Sequence, residues 1–218
     1  MVPPAFQADP AEYVSPEDYL RLEREAEFKH EYFQGEVRAM AGAGYMHNLI
    51  CANLTGELYT RLRGKACSVV GRDQRLQIMS GSAFVYPDLT VVCGQPEFNE
   101  KKKPDTLLNP TLLVEVLSPT TSLYDRSDKF MLYRQVPSLR QHLTLDAQSI
   151  HAELHTLDEL GRWVLTETRA LAAVLDLSSI ACQVPLAEVY RTTDLTDFNG
   201  FQRIKRIFVV LLLPANLS

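Results

Sequence analysis

The run TLLVEVLS sets a single glutamate, Glu115, between Val114 and Val116 inside the apolar stretch Leu112–Leu117. A short, near-continuous apolar run of this kind reads as a strand buried on both faces, as at the centre of a sheet. A carboxylate at such a place costs several kcal/mol unless it is paired with a positive group or bound to a cation. The chain must therefore build a central strand and bring positive charge to its middle. A second acid, Asp88, follows Pro87 at the head of another strand-like run, LTVVC.

If the runs around Asp88 and Glu115 pair as an antiparallel hairpin, the residue numbers of opposed pairs keep a constant sum. Setting Asp88 opposite Glu115 then centres the pairing between Lys101 and Lys102, in the polar stretch Gln95–Asn109. Opposed residues share a face with Cβ atoms about 5 Å apart. Two carboxylates so placed read as a shared cation site. Taken singly, Glu115 also fits a buried salt bridge, and Asp88 a strand-edge acid after proline.

A lysine two residues after the glutamate is the usual third partner of such acids, but that position is Leu117. A strand ending near Ser118-Pro119 runs about 10 Å past Glu115, at about 3.3 Å per residue. A helix from about Ser122 to Arg134 that folds back would return Lys129 over a similar distance, at about 1.5 Å per residue. Lys129 thus becomes the candidate replacement. Its competing reading is a solvated helix lysine paired with Asp125.

Around this centre the chain alternates helical and extended periods. SPEDYLRLEREAEF opens as a helix, with Ser15 as cap, Pro16 in the first position and Asp18 as the capping-box acid. EYFQGEVRAMAG reads as a hairpin turning at Gln34-Gly35. Ile50, Leu54, Leu58 and Leu62 mark the buried face of a second helix that stops at Gly64. CSVVGRDQRLQI, AFVYPDLTVVCG and TLLVEVLS are three strand-like runs, and HLTLDA, IHAELHTL and WVLTETR form a meander. The expected fold class is α/β or α+β, with a mixed sheet flanked by helices. Residues 1–12 are expected to be a flexible arm and residues 13–190 one domain. For the tail 191–218 the sequence does not choose between packing on the domain, joining a partner chain and staying nearly structureless.

The net charge of -5 argues against nucleic-acid binding through overall charge, though a local basic cleft remains compatible with it. Cys51, Cys67, Cys93 and Cys182 are scattered without a close pair and read as reduced, half-buried apolar residues. No secretory signal is visible, and the apolar run IFVVLLL at 207–213 is about a third of a membrane span. The expectation is a cytoplasmic protein without membrane contact. His47, after the glycine-rich AGAGYMH, is a candidate site histidine that also fits a helix-start hydrogen-bonding role. The charged EKKKPD at 100–105, and Arg61, Arg63 and Lys65 near the second helix end, read as solvated or helix-terminal charges. Trp163 reads as core or interface.

The stretches SPEDYLRLEREAEFKHEYFQGEVRAMAGAGYMHNLI, YPDLTVVCG, LNPTLLVEVLSPTTSLYDRSDKFMLYRQVPSL and LAEVY resemble the PD-(D/E)XK, restriction-endonuclease-like superfamily. More closely, they resemble its Uma family, a branch expanded in cyanobacteria. The resemblance implies a metal-dependent endonuclease acting on phosphodiester bonds in nucleic acid, DNA first, with magnesium (or manganese) as cofactor. By position, Asp88 and Glu115 match the metal-binding acids and Lys129 a migrated catalytic lysine. Glu31, and after it Glu36, match the acid that the superfamily often adds from its first helical region. A homodimer is implied by analogy with nucleases of this fold. Leu117 departs from the superfamily pattern, and a non-catalytic nucleic-acid- or protein-binding module on the same fold is the alternative.

Overall fold

The structure is a computed structural model that describes residues 13–100, 103–117 and 129–192. Local signals in the sequence are realised closely at the N-terminal end. Ser15 caps helix α1 (Pro16–Glu23): its hydroxyl accepts from the Asp18 amide at 3.1 Å, and Pro16 opens the first turn. Strands β1 (His30–Phe33) and β2 (Glu36–Ala39) are joined by Gln34-Gly35 with φ of 47° and 100°. Two consecutive positive φ angles match the twist of a two-residue hairpin, and glycine takes the second without strain. Helix α2 (Tyr45–Arg61) turns Ile50, Leu54 and Leu58 fully into the core, as their four-residue spacing requires.

The strand-like runs divide more finely than their composition suggests. CSVVGRDQRLQI splits into β3 (Cys67–Gly71) and β4 (Arg75–Ile78), and AFVYPDLTVVCG into β5 (Ala83–Val85) and β6 (Leu89–Cys93). Pro87 lies in the second break, where its missing N–H would interrupt a ladder. The polar stretch after β6 is not a plain loop: β7 (Phe98–Glu100) and β8 (Lys103–Leu107) pair within it. Then follow β9 (Leu112–Leu117), helical residues 129–133 (α3), and the expected meander β10 (Gln141–Asp146), β11 (Ala152–Leu157) and β12 (Trp163–Thr168). A hairpin, β13 (Val174–Leu177) and β14 (Cys182–Pro185), and a short helix α4 (Leu186–Val189) close the described chain.

These strands form two mixed six-stranded sheets, ordered β2-β1-β5-β4-β8-β7 and β12-β11-β10-β9-β6-β3, plus the separate β13-β14 hairpin. The fold is therefore α+β with mixed sheets, as expected, but with two sheets in place of one. On one side of the second sheet, Leu112, Val114 and Val116 pack with Ile50, Leu54 and Leu58 of α2. On the other side, Leu113 and Val92 pack with Tyr133 of α3 and with Leu76, Ile78 and Val85 of the first sheet. Strand β9 is thus buried on both faces. Glu115, one of the alternate residues with Leu113, falls on the side of α3 and the first sheet.

One expectation is overturned. Cys67 and Cys93 are directly opposed across β3 and β6 and form a disulfide, so the cysteines are not all reduced. Sequence spacing gave no hint, because the pair is made by a register between strands 26 positions apart. Cys51 and Cys182 are free thiols. Among the described residues no helix is long and apolar enough to cross a membrane. The arm 1–12, the run 207–213, the strand end near Ser118-Pro119 and the helix start near Ser122 with Asp125 all lie outside the described residues.

Candidate functional site

Strands β6 and β9 pair antiparallel with Leu89 opposite Val114, Thr90 opposite Leu113 and Val91 opposite Leu112. That is the register expected from setting Asp88 opposite Glu115. Asp88 sits one residue before the ladder, where Pro87 has released the chain. There its Oδ2 accepts the Val116 amide at 2.8 Å, taking the part of a missing ladder carbonyl. The same oxygen lies 3.0 Å from Nε2 of His47, in the first turn of α2. Both contacts fall on Oδ2, so Oδ1 keeps no protein partner among the described residues.

Glu115 is 3% exposed. The Tyr133 hydroxyl donates to its Oε1 at 2.5 Å, and the Lys129 ammonium lies 3.4 Å from the same oxygen. Lys129 and Tyr133 are four residues apart on α3, hence on one helical face. The helix beyond β9 therefore does return Lys129 to the level of Glu115. Lys129 is closer still to Glu31 Oε1, at 3.0 Å. Glu31 is buried and comes from β1, not from a helix, and its Oε1 also faces the Tyr86 amide at 3.4 Å. Among the described residues, Glu31 and Glu115 thus meet one ammonium, and Asp88 meets one imidazole.

Glu36 is elsewhere. It lies beyond the hairpin turn, is exposed, and pairs with Arg38 at 2.6 Å. Its pairing opposite Phe33 keeps it on the sheet face of Glu31, but it stands beside the turn on β2, the edge strand of its sheet, whereas β1 lies inside the sheet. His47 is brought in: beyond its Nε2 contact to Asp88, its Nδ1 lies 3.7 Å from the Cys51 sulfur. His47, Cys51 and Asp88 offer ligand atoms that all lie within 4.8 Å of one another. Burial pushes the Cys51 thiol up, and the charges of Asp88 and Glu115 add to that effect. Tyr133 and Cys51 were not singled out from sequence. Tyr133 carried a usable signal, its four-residue spacing from Lys129; Cys51 stands in the same relation to His47.

The other candidates serve structure. Arg61 pairs with Glu57 one turn back, and Lys65 reaches the Ala181 carbonyl at 2.5 Å. The acids of EKKKPD hold Arg24, Asp105 at 2.7 Å and Glu100 at 2.9 Å. Trp163 stands edge-on to Phe130, which stacks on His142 and His155. His142 is fully buried, with neither ring nitrogen partnered among the described residues, and burial above all, then His155 and Lys129, lowers it to about 3.

A mixed sheet that sets two acids side by side, with a lysine returned from the following helix, defines a restriction-endonuclease-like protein. The Uma2 family, described as "Putative restriction endonuclease", matches residues 16–187, and the chain belongs to it. Two proteins of Synechocystis are similar. "Uncharacterized protein slr1290" is 33% identical over 178 residues, covering 82% of this chain and 92% of that protein. "Uncharacterized protein sll1609" is 31% identical over 161 residues, covering 74% of this chain and 90% of that one. Among solved structures, one described as a "putative nuclease belonging to DUF820" from Anabaena variabilis superposes with a TM-score of 0.68. It covers 81% of this chain and 97% of its own at 14% identity, a likeness of fold alone.

Proposed function

We propose that the protein is a magnesium-dependent endonuclease that hydrolyses phosphodiester bonds in DNA, working as a homodimer. The observation that supports this most is the meeting of Asp88, Glu115 and Lys129, from two adjacent strands and the next helix. The donor set fits the cofactor: carboxylate oxygens are hard ligands, and magnesium needs only one or two of them because it keeps several waters. Oδ1 of Asp88 is available to such an ion, and manganese suits the same oxygens. When bound there, the ion supplies Lewis-acid polarisation of a phosphoryl oxygen and a bound water of lowered pKa.

The remaining work falls to the chain. His47 and the Val116 amide hold Asp88 by one oxygen, which orients the other. Tyr133 fixes Glu115. Lys129, anchored by Glu31 and Glu115, carries the positive charge that offsets negative charge developing on the phosphate, or holds the attacking water. No covalent intermediate is required. The homodimer rests on the fold's analogy, since two copies address two strands.

A second reading has its own observation. Lys129 is 5% exposed between two buried carboxylates, an arrangement that also suits a closed ion pair in a non-catalytic binding module. Plasmid and oligonucleotide cleavage with magnesium or manganese separates the two. The nuclease reading expects cleavage that falls by roughly a thousandfold in Asp88→Ala and in Lys129→Ala, in line with a loss of several kcal/mol of charge stabilisation. Cleavage that survives in Lys129→Ala removes the lysine from the mechanism. Absence of cleavage by the wild type with either metal favours the binding module.

A further inference from the structure

His47 and Cys51 stand one helical turn apart on α2, so both side chains emerge on the same face toward Asp88. The Cys51 sulfur lies 3.7 Å from His47 Nδ1. Two ligands on a tetrahedral zinc, at bond lengths of about 2.3 Å for sulfur and about 2.0 Å for nitrogen, keep a separation of about 3.6 Å. One atom from each of His47, Cys51 and Asp88 already lies within the compass of a single ion. Nitrogen, sulfur and oxygen together are a poor set for magnesium, which takes oxygen alone, and a good one for zinc-class cations. An imidazole gives one nitrogen to an ion, so entry of the metal replaces one of the two ring contacts, Nε2 to Asp88 or Nδ1 to Cys51, while the helix and the Val116 amide hold the residues that carry the ligands.

We infer that His47, Cys51 and Asp88 form a binding site for a borderline-soft divalent cation of the zinc class. On binding, the Cys51 S–H bond breaks, its proton leaves to solvent and the sulfur bonds the metal as thiolate. Three protein ligands leave a fourth position for water. The site shares Asp88 with the magnesium site proposed above, and to that extent it rests on that reading. Occupation by a thiol-binding cation then withholds Asp88 from magnesium. The same carboxylate becomes the point at which one class of metal displaces the other.

Cobalt(II) chloride is a direct probe, titrated into the full-length protein without nucleic acid and followed by absorption. A thiolate-to-cobalt charge-transfer band that saturates with cobalt is expected. Cys51→Ser abolishes that band and weakens binding at least about tenfold, and His47→Gln weakens it comparably. Cys182→Ser, at the other free thiol, and Glu115→Gln leave the band in place. Absence of the band in the wild type, or a band that survives Cys51→Ser and disappears in Cys182→Ser, overturns the site. Excess magnesium is expected to weaken cobalt binding. A Cys51-dependent band that magnesium does not affect leaves the zinc-class site standing and overturns Asp88 as a magnesium ligand.

Discussion

Two polar clusters meet at Tyr86, and they are built in different ways. On one side the Tyr86 hydroxyl donates to Glu23 at 2.9 Å, and Glu23 also takes the His30 amide and lies 3.0 Å from His30 Nδ1. Arg75 reaches the same hydroxyl, and with Arg24 it binds Asp105. Burial raises Asp105, yet the Arg24 and Thr106 hydrogen bonds outweigh it and hold the carboxyl below its usual range. There Glu23, Glu100 and Asp105 face Arg24, Arg75 and the His30 ring. On the other side the Tyr86 amide faces Glu31, and among the described residues Glu31 and Glu115 meet Lys129 while Asp88 meets His47. The first cluster ties its acids to guanidinium groups, as a structural network does; among the described residues the second brings the acids of β1 and β9 to one lysine beside Asp88, an arrangement that suits a cation.

That contrast can be broken by substitution. Glu23→Gln removes one partner from a buried charged network and is expected to cost about 3–5 kcal/mol in urea unfolding. A cost under about 1 kcal/mol would place Glu23 outside the fold's support. Acidification gives a smaller effect per pH unit, through His142 behind Tyr133, where His155 and Lys129 also face it. The folded imidazole stays neutral down to about 3, whereas the unfolded chain protonates near 6.5. Between these values the unfolded state binds more protons, so this contribution to stability is whole above the upper one and is lost as pH falls. The slope is at most about 1.4 kcal/mol per pH unit. It should flatten in His142→Leu, and an unchanged slope would assign the acid sensitivity to other groups. Smallest is Asp88→Asn, expected to change stability by less than about 0.5 kcal/mol, because it relieves like charge and keeps an oxygen for Val116.

Much of the second cluster was legible because its geometry follows from short-range arithmetic. Asp88 and Glu115 are joined by one excursion of chain, so a constant residue sum gives their register. Lys129 follows from the rises of a strand and a helix. The Ser15 cap and the Gln34-Gly35 turn are local in the same sense. The missed features depend on pairings that no local pattern encodes. The opposition of Cys67 and Cys93 and the division of strands between two sheets both arise from long-range contacts. Glu36 shares the sheet face of Glu31 but stands beside the turn on an edge strand, and nothing local in the sequence marks a strand as an edge. Glu23 escaped notice because an acid on a helix usually reads as solvated.

Manganese binding, followed by electron paramagnetic resonance in wild type, Glu23→Gln and Asp88→Asn, tests the difference between the clusters most directly. A single tightly bound ion in wild type and in Glu23→Gln, lost in Asp88→Asn, is the expected result. No ion in the wild type, or one retained equally in Asp88→Asn, would contradict the assignment of Asp88 and its neighbouring carboxylates to a cation site.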